Sequence, residues 1–506
     1  MKEKWFNYRP ICLVFAFLLL GSVFSFYVVE NTIITIIISL IIFVLLIAWS
    51  IFRRKLQLFL IPIISFALAV GVYYLSVWKF NRNTEKNPSE VVARVYDITN
   101  EQNGMIKTEC DNCTFDGNKS DDKIVLYIYD NTGLFENIKV GSVVKFTPYK
   151  FYKSDLFYHN IPNSNLYASN LKFTVSAQIK DIECIKNDKT LSEKFKDRVK
   201  DNLEIGLTNE NAEIAYSALF GDKDLLSESQ YSNYKLSGIA HLLAVSGLHV
   251  GIVFAILTYL LGLIKVKGWW KIGLISIFLL FYAYLCGFSV SIMRASIMCI
   301  IMMIAKQVRR EYDSLNALSI AGIVIFLTNP FCVFDVGFLL SFSCVAGIIM
   351  FTPTIKRGLE KCKDFIPSGI VDAISISTAT TLSIVFVNAY YFQTFNIISI
   401  IANVFIIPMF TIAFICVFCV SMFALICPYF SYLLVPINYL INFINILANI
   451  FGNLDISNFT TTQFAYMTIV VYFVLLLFLS RLCVVKYNYK IITTLPMVAL
   501  LFYCLI

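Results

Sequence analysis

Apolar stretches long enough to cross a lipid bilayer recur along this chain, and they decide most of what it can fold into. "ICLVFAFLLLGSVFSFYVV" (11–29) is the first of them. About 18–20 such residues wound as helix span the roughly 30 Å hydrocarbon layer. The chain has 506 residues, is 58% hydrophobic and only 15% charged. A soluble body of that size cannot bury so much apolar surface, so lipid is the solvent. The expected fold class is a mostly α polytopic membrane protein carrying one inserted extracellular small β-barrel domain of the OB type.

Spans are expected near 10–29, 32–52 and 56–79, then near 237–264, 269–287, 289–306, 314–328, 331–352, 367–388, 396–427, 431–452, 463–480 and 491–506. That makes about 13 transmembrane segments. Lys2, Lys4 and Arg9 precede the first run, and no small-x-small cleavage site follows it. It reads as an uncleaved first helix with a cytoplasmic N-terminus.

Net charge is +8, but its distribution argues against a DNA-binding patch as its source. Residues 79–235 carry 21 Lys+Arg against 24 Asp+Glu, a net of −3; the rest carries 20 against 9, a net of +11. The second set clusters in "FRRK", "KVKGWWK", "KQVRR", "KRGLEKCK" and "RLCVVKYNYK". Basic clusters confined to alternate short loops report membrane orientation, so these loops are cytoplasmic and residues 80–236 extracellular.

Four regions follow: three N-terminal transmembrane helices (1–79), an OB-like β domain (80–189), amphipathic membrane-surface helices (190–236) and a second transmembrane domain (237–506). Within 80–189, "VVARVYDI", "KIVLYIYD", "SVVKFTPY" and "LKFTVSAQI" alternate and are separated by Gly, Asn and Asp. Short strands of that kind suggest a small barrel. From about 190 the period becomes helical, with Leu191, Phe195, Val199 and Leu203 at four-residue steps. Of 14 cysteines, Cys110, Cys113 and Cys184 lie in the outer region, where an oxidising milieu allows a disulfide. One disulfide among the three is expected. "CDNC" lacks the second Cys/His pair of a metal site.

Polar groups inside the apolar runs are the candidates for function. "HLLAVSGLHVGIV" (241–253) holds His241, Ser246, Gly247, His249 and Gly251. Read as helix, the two histidines share a broad face, and the glycines have the small-xxx-small spacing of close helix approach. A packed helix bonding its imidazoles to carbonyls accounts for a lone histidine; this concentration of polar groups favours a functional element. A break at "SGLHVG" lining a wet cavity is the other conformation available. Arg294 costs at least ~2.5–3.5 kcal/mol in mid-bilayer on insertion scales. It reads as the partner of Asp335, as a fork for phosphate oxygens, or as both in sequence. Asp335 reads equally well as a wet group beside the "TNP" turn (328–330). Asn403 precedes Pro408 and satisfies freed carbonyls. Tyr390, Tyr391, Phe392 and Phe395 read as an interfacial belt, with base stacking at an outer mouth as the sharper alternative.

"ALFGDKDLLSESQYSNYKLSGIAHLLAVSGLHVGIV" (218–253) resembles the signature of the ComEC family of competence proteins. "RASIM" (294–298), "NALSIAGIVIFLTNPFCVFDVGFLLSFSCVAGI" (316–348) and "NIISIIANVFIIP" (396–408) are similar to further family segments, in order. The resemblance implies a channel in the bacterial cytoplasmic membrane that imports single-stranded DNA during transformation. The path would be lined by His241, Ser246, Gly247, His249, Gly251, Arg294, Asp335 and Asn403. Its partners would be single-stranded DNA, a separate DNA receptor, a cytoplasmic ATP-driven helicase and a separate nuclease. Many family members have a proline where this chain has Ser291, and Pro-Gly-Phe-Gln where it has Val336–Leu339. Many also carry a metallo-β-lactamase-like domain after the membrane block, where this chain ends in an apolar segment.

Only His159, His241 and His249 are present, too few for a di-metal hydrolase, and no GxxxxGK[ST] loop occurs. No enzyme activity, metal or cofactor is therefore expected. The rival reading is a proton-coupled small-solute transporter using His241, His249 and Asp335. A membrane-embedded enzyme would need a nucleophile–base–orienter set that the sequence does not display.

Overall fold

The computed structural model describes residues 9–28, 56–82, 88–100, 105–129, 138–158, 161–360, 367–392, 394–395, 398–454 and 459–460. It is mostly helical with one mixed sheet. Among the described residues seven helices are long and apolar enough to cross a membrane, and Pro10–Phe26, Gly247–Leu263 and Ser314–Thr328 are shorter apolar helices. Seven expected spans overlap the seven long helices, whereas those near 10–29, 237–264 and 314–328 overlap only the shorter apolar ones. The spans at 32–52, 463–480 and 491–506 lie outside them.

Two compact units divide the chain: residues 13–197 with 323–335, and residues 1–12 with 198–322 and 336–506. The first unit contains helices α1 (Pro10–Val28, nearly all of it) and α2 (Leu56–Arg82) and strands β1 (Val91–Asn100), β2 (Met105–Phe115), β3 (Lys123–Tyr129), β4 (Ser142–Phe146), β5 (Lys150–Lys153), β6 (Leu171–Gln178) and β7 (Ile182–Asn187). The strand order is β7-β4-β1-β2-β3-β6-β5, with Asn118–Lys119 pairing beside β2. All neighbours are antiparallel except β3 and β6. Alternation puts Ile124, Leu126 and Ile128 of β3 with Phe173, Val175 and Ala177 of β6 into one core, which also holds Val91, Val95, Val144 and Phe146. The path has two ends, β7 and β5, so the barrel closure expected from the strand pattern is not observed. A partly regular run of short strands signals a sheet well but carries no information about its closure.

Arg94 of β1 is buried and forks Asp111 of β2, with Nε to Oδ1 at 2.8 Å and Nη2 to Oδ2 at 2.6 Å. Its Nη1 reaches Glu193 at 3.4 Å, tying the following helix to the sheet. At the end of α2, Tyr73 and Phe80 pack with Leu156, Phe331 and Phe334. Asn329 of "TNP" donates to the Ser164 hydroxyl at 2.8 Å, so this turn sits against the β domain.

Cys110, Cys113 and Cys184 are free thiols. Cys110 and Cys113 are buried in the sheet core on β2, whereas Cys184 is exposed on β7. Three strand spacings separate β7 from β2, about 14 Å, well beyond the ~4.4–6.8 Å Cα reach of a disulfide. Residue spacing could not reveal that Cys184 lies on a distant strand. Burial pushes the Cys110 thiol up to about 12 and raises Cys113 further. Both stay protonated near pH 8, where the thiolate is the reactive form. Maleimide labelling of the native protein at pH 8 is therefore expected to modify Cys184 and spare Cys110 and Cys113 until denaturation. Equal labelling of all three would contradict this packing.

The second unit begins within helix α3 (Leu191–Gly206) and continues through α4 (Asn209–Phe220), α5 (Glu228–Leu236), α6 (Gly247–Leu263), α7 (Gly268–Leu285), α8 (Val290–Gln307), α9 (Ser314–Thr328), α10 (Val336–Leu359), α11 (Ser368–Phe392), α12 (Ser399–Ala424) and α13 (Val435–Gly452). The end of α9 belongs to the first unit. Val199 and Leu203 bury one stripe of α3, as their four-residue spacing predicts, but Leu191 is exposed. Helix α4 differs: nine of its twelve residues are buried. Helices α10 and α11 approach closely at Gly347, where a Cβ would collide with the Ser383 side chain. Asp372 pairs with Lys356 and both remain largely exposed, in accord with a solvated position.

Candidate functional site

The stretch 237–246 is not helical as a whole. Ser237 ends α5, Gly238 takes a left-handed φ of +76°, and Ala240–Leu242 form a single 3-10 turn. Helix α6 then starts at Gly247, ten residues later than the apolar run begins. The local reason is a cap. Ser246 Oγ accepts from the Leu248 N–H at 3.3 Å, and His249 reaches back so that its Nδ1 accepts the Ser246 N–H at 3.1 Å. The imidazole thus takes the part usually played by Glu or Gln in a capping box. With Nδ1 accepting, the network assigns the proton to Nε2. That atom is buried and has no hydrogen-bond partner. The ring packs edge-on to Phe414 and Phe410, with centroids 4.6 and 5.4 Å away.

The histidines therefore do not share a helical face. His241 is exposed on the turn, while His249 is enclosed. The expectation of a common face assumed one continuous helix, which Gly238 and the Ser246 cap interrupt. The glycines also part company. A Cβ at Gly247 would lie 2.7 Å from Arg294 Nη2, whereas one at Gly251 would meet nothing within 4 Å. Close approach is confined to Gly247, and its neighbour there is a guanidinium rather than a second backbone.

Arg294 lies in the first turns of α8 and is 5% exposed. Nη1 donates to the Ser341 carbonyl of α10 at 2.7 Å. Nε is buried without a partner, and so is the Ser341 hydroxyl. Among the described residues of its own unit no carboxylate comes within salt-bridge distance of Arg294. Asp335 ends the 3-10 turn Cys332–Phe334 beside "TNP" and is half-buried. A buried cation with unused donors is costly to keep unless something occupies them. Nη2 of the same guanidinium stands beside the N-terminus of a 17-residue helix, where backbone dipoles also favour negative charge. Helix head, guanidinium and serine hydroxyl together are the candidate site for an anion.

Asn403 of α12 donates to Ser377 Oγ of α11 at 3.3 Å, and its Oδ1 is buried without a partner. Ser377 in turn donates to the Ile400 carbonyl at 3.3 Å, whereas the carbonyl that Pro408 frees is that of Val404, four residues before it. Tyr390 and Tyr391 end α11 half-buried, with ring centroids 4.9 Å apart. Phe395 lies on the short strand Thr394–Phe395, which pairs with Phe459–Thr460.

Sequence reading missed an amide network. Asn211 of α4 donates to Asn438 Oδ1 and Asn442 Oδ1, both at 2.7 Å, and accepts from Asn445 at 3.0 Å. Tyr234 of α5 donates to Asn445 Oδ1 at 2.6 Å. Asn438, Asn442 and Asn445 follow the four-then-three spacing of one helix face, a signal legible in "NYLINFIN".

A model of the family described as "Competence protein" matches residues 218–485, which include the α6 cap, Arg294, Asn403 and the asparagine face. ComE operon protein 3 of Bacillus subtilis is 29% identical over 201 residues, 39% of this chain and 24% of that protein. Recombination protein 2 of Haemophilus influenzae is 26% identical over 152 residues, covering 29% of this chain and 19% of that protein. An uncharacterized protein of Aquifex aeolicus is 31% identical over 190 residues, 36% of this chain and 43% of its own length. The chain thus aligns with less than half the length of each of these relatives. No solved structure matches. With the family match covering more than half of its length, the chain belongs to the ComEC family of competence proteins.

Proposed function

We propose that this chain forms a passage for single-stranded DNA across the bacterial cytoplasmic membrane. The observation that carries the reading is Arg294, a buried guanidinium at the head of α6 with its Nε donor unused. Phosphate oxygens match that donor set, and a neutral solute does not. At 5% exposure the site is closed, so passage requires α6, α8 and α10 to separate around the strand. Contacts along such a path must be weak and repeated, or the polymer stalls. About 13 spans, a cytoplasmic N-terminus and an extracellular OB-like domain at 80–189 complete the proposed topology. The chain conducts without catalysing. A DNA receptor delivers the substrate, a cytoplasmic helicase supplies ATP-driven pull, and a nuclease acts as a separate protein.

A proton relay through His241, His249 and Asp335 is less well supported, because His249 Nδ1 is committed to Ser246 and His241 stands on a different element. Deleting the gene separates the two readings. The expected result is loss of transformation with labelled DNA held at the cell surface. Normal transformation with loss of pH-coupled uptake of a small solute would sink the DNA reading.

A further inference from the structure

Two buried arginines in this chain are compensated in different ways. In the sheet, the Nε–Nη2 edge of Arg94 is filled by the Asp111 carboxylate, at 2.8 and 2.6 Å. Arg294 is the more enclosed of the two, 5% exposed against 8%. Its Nη1 goes to the neutral Ser341 carbonyl, and its Nε is buried without a partner. Among the described residues of its own unit no carboxylate pairs with it. A guanidinium keeps its proton inside proteins, so titration cannot remove this charge. Burying it unmatched is costly, and an anion from solution removes that cost.

The surroundings of Arg294 select the kind of anion. A methyl on Gly247 would stand 2.7 Å from Nη2 and 3.9 Å from Cζ, so the head of α6 lies against the guanidinium. The dipole of that helix favours negative charge there. On α10 the Ser341 hydroxyl, also buried without a partner, is a further donor. Packing this close excludes a bulky group. A dianion such as sulfate would leave a surplus negative charge in an enclosed site, which is costly in its turn. A single charge carried by a single, weakly hydrated atom meets both conditions.

We propose that the closed Arg294 site binds one chloride ion, which pairs with the guanidinium and links α6, α8 and α10. The proposal deepens the reading of Arg294 as a contact for strand phosphates, on which displacement of the ion by DNA rests. Each phosphodiester carries one negative charge, as chloride does. Exchange of one for the other therefore leaves the buried charge balanced. The ion holds the three helices together at rest and leaves when a strand phosphate takes its place.

The test is the thermal midpoint of full-length, detergent-solubilised protein, with sodium chloride titrated against sodium gluconate at constant ionic strength. Gluconate is too large for the site. Chloride is expected to raise the wild-type midpoint by several degrees and to saturate, as a ligand of the folded state does. Sodium bromide should act alike. Arg294→Ala should have the same midpoint in both salts, and Gly247→Ala, whose methyl crowds Nη2, should lose most of the rise. Equal wild-type midpoints in chloride and gluconate would overturn the proposal without recourse to any variant. A rise that persists in Arg294→Ala would also overturn it, because the ion would then sit elsewhere. A chloride effect through Arg294 with normal transformation after gene deletion would keep the ion site and end both the importer reading and the exchange with DNA. Lost transformation in Arg294→Ala with no chloride effect on the wild type would keep the importer reading and end the ion site.

Discussion

Arg294→Ala is expected to lower transformation at least 100-fold while the protein accumulates in the membrane at normal or higher level. The two halves of that result are coupled by one physical fact. Burying a guanidinium with Nε unpaired costs stability, so a residue that serves only packing would not be built this way. Removing it relieves a cost of about 2.5–3.5 kcal/mol on insertion scales. A structural role predicts the reverse, with lost accumulation and uptake falling in parallel. A 100-fold loss corresponds to about 2.8 kcal/mol at roughly 1.4 kcal/mol per decade, within reach of one charge-assisted contact made repeatedly by a moving strand. Arg294→Lys keeps the charge but loses the fork. It should give an intermediate loss of about tenfold, and full uptake by the lysine variant would remove the case for a phosphate fork. Gly247→Val should resemble Arg294→Ala, because its Cβ would stand 2.7 Å from Nη2 and displace the guanidinium.

The second large effect is expected at Asn211, and it falls on stability. Both Nδ2 protons and the Oδ1 of this buried amide are engaged by Asn438, Asn442 and Asn445, so α4 is held to α13 by neutral hydrogen bonds. Asn211→Leu strands three partner amides at once. Each lost hydrogen bond is worth about 0.5–1.5 kcal/mol, so three bring the loss to about 2–4 kcal/mol, with Asn442 exposed and Asn438 keeping its bond from Thr208. Heating detergent-solubilised protein and following the monodisperse fraction should show a midpoint lowered by several degrees. Replacing both sides by apolar residues is close to neutral when the shapes fit. Asn211→Leu combined with Asn438→Leu, Asn442→Leu and Asn445→Leu should therefore recover much of the loss. Equal stability of wild type and Asn211→Leu would show that the network does not hold the two helices.

The membrane spans were the most legible part of the sequence, because lipid permits so few solutions for a long apolar run. Helix α6 shows where that reading falters. Residues 237–246 are apolar enough to read as part of the helix that follows, and hydropathy cannot register a left-handed glycine or a serine cap. His249 stands out in the sequence for its imidazole, yet the structure uses that ring as a cap, a role set by the N–H three residues earlier. Arg294 was recognised as exceptional on cost alone. Its neighbours Gly247 and Ser341 lie 47 residues away on either side, and only the fold brings them together. The asparagine face was readable in principle, since three amides at helical spacing in an apolar run need partners. The partner Asn211 lies more than two hundred residues upstream, and no spacing rule reaches that far. The outer strands were identified from alternation, while the order that separates Cys184 from Cys110 was not, because strand order is a long-range property.

A photoreactive crosslinking residue placed at Leu248, partly exposed beside Gly247, tests most directly whether a strand passes the head of α6. In competent cells given radiolabelled DNA and irradiated during uptake, the expected product is a covalent adduct between this protein and single-stranded DNA. The same residue placed at Trp270, 82% exposed on α7, should give none. Abundant transformation with no adduct at Leu248, or equal adducts at both positions, would contradict the passage of DNA beside Arg294.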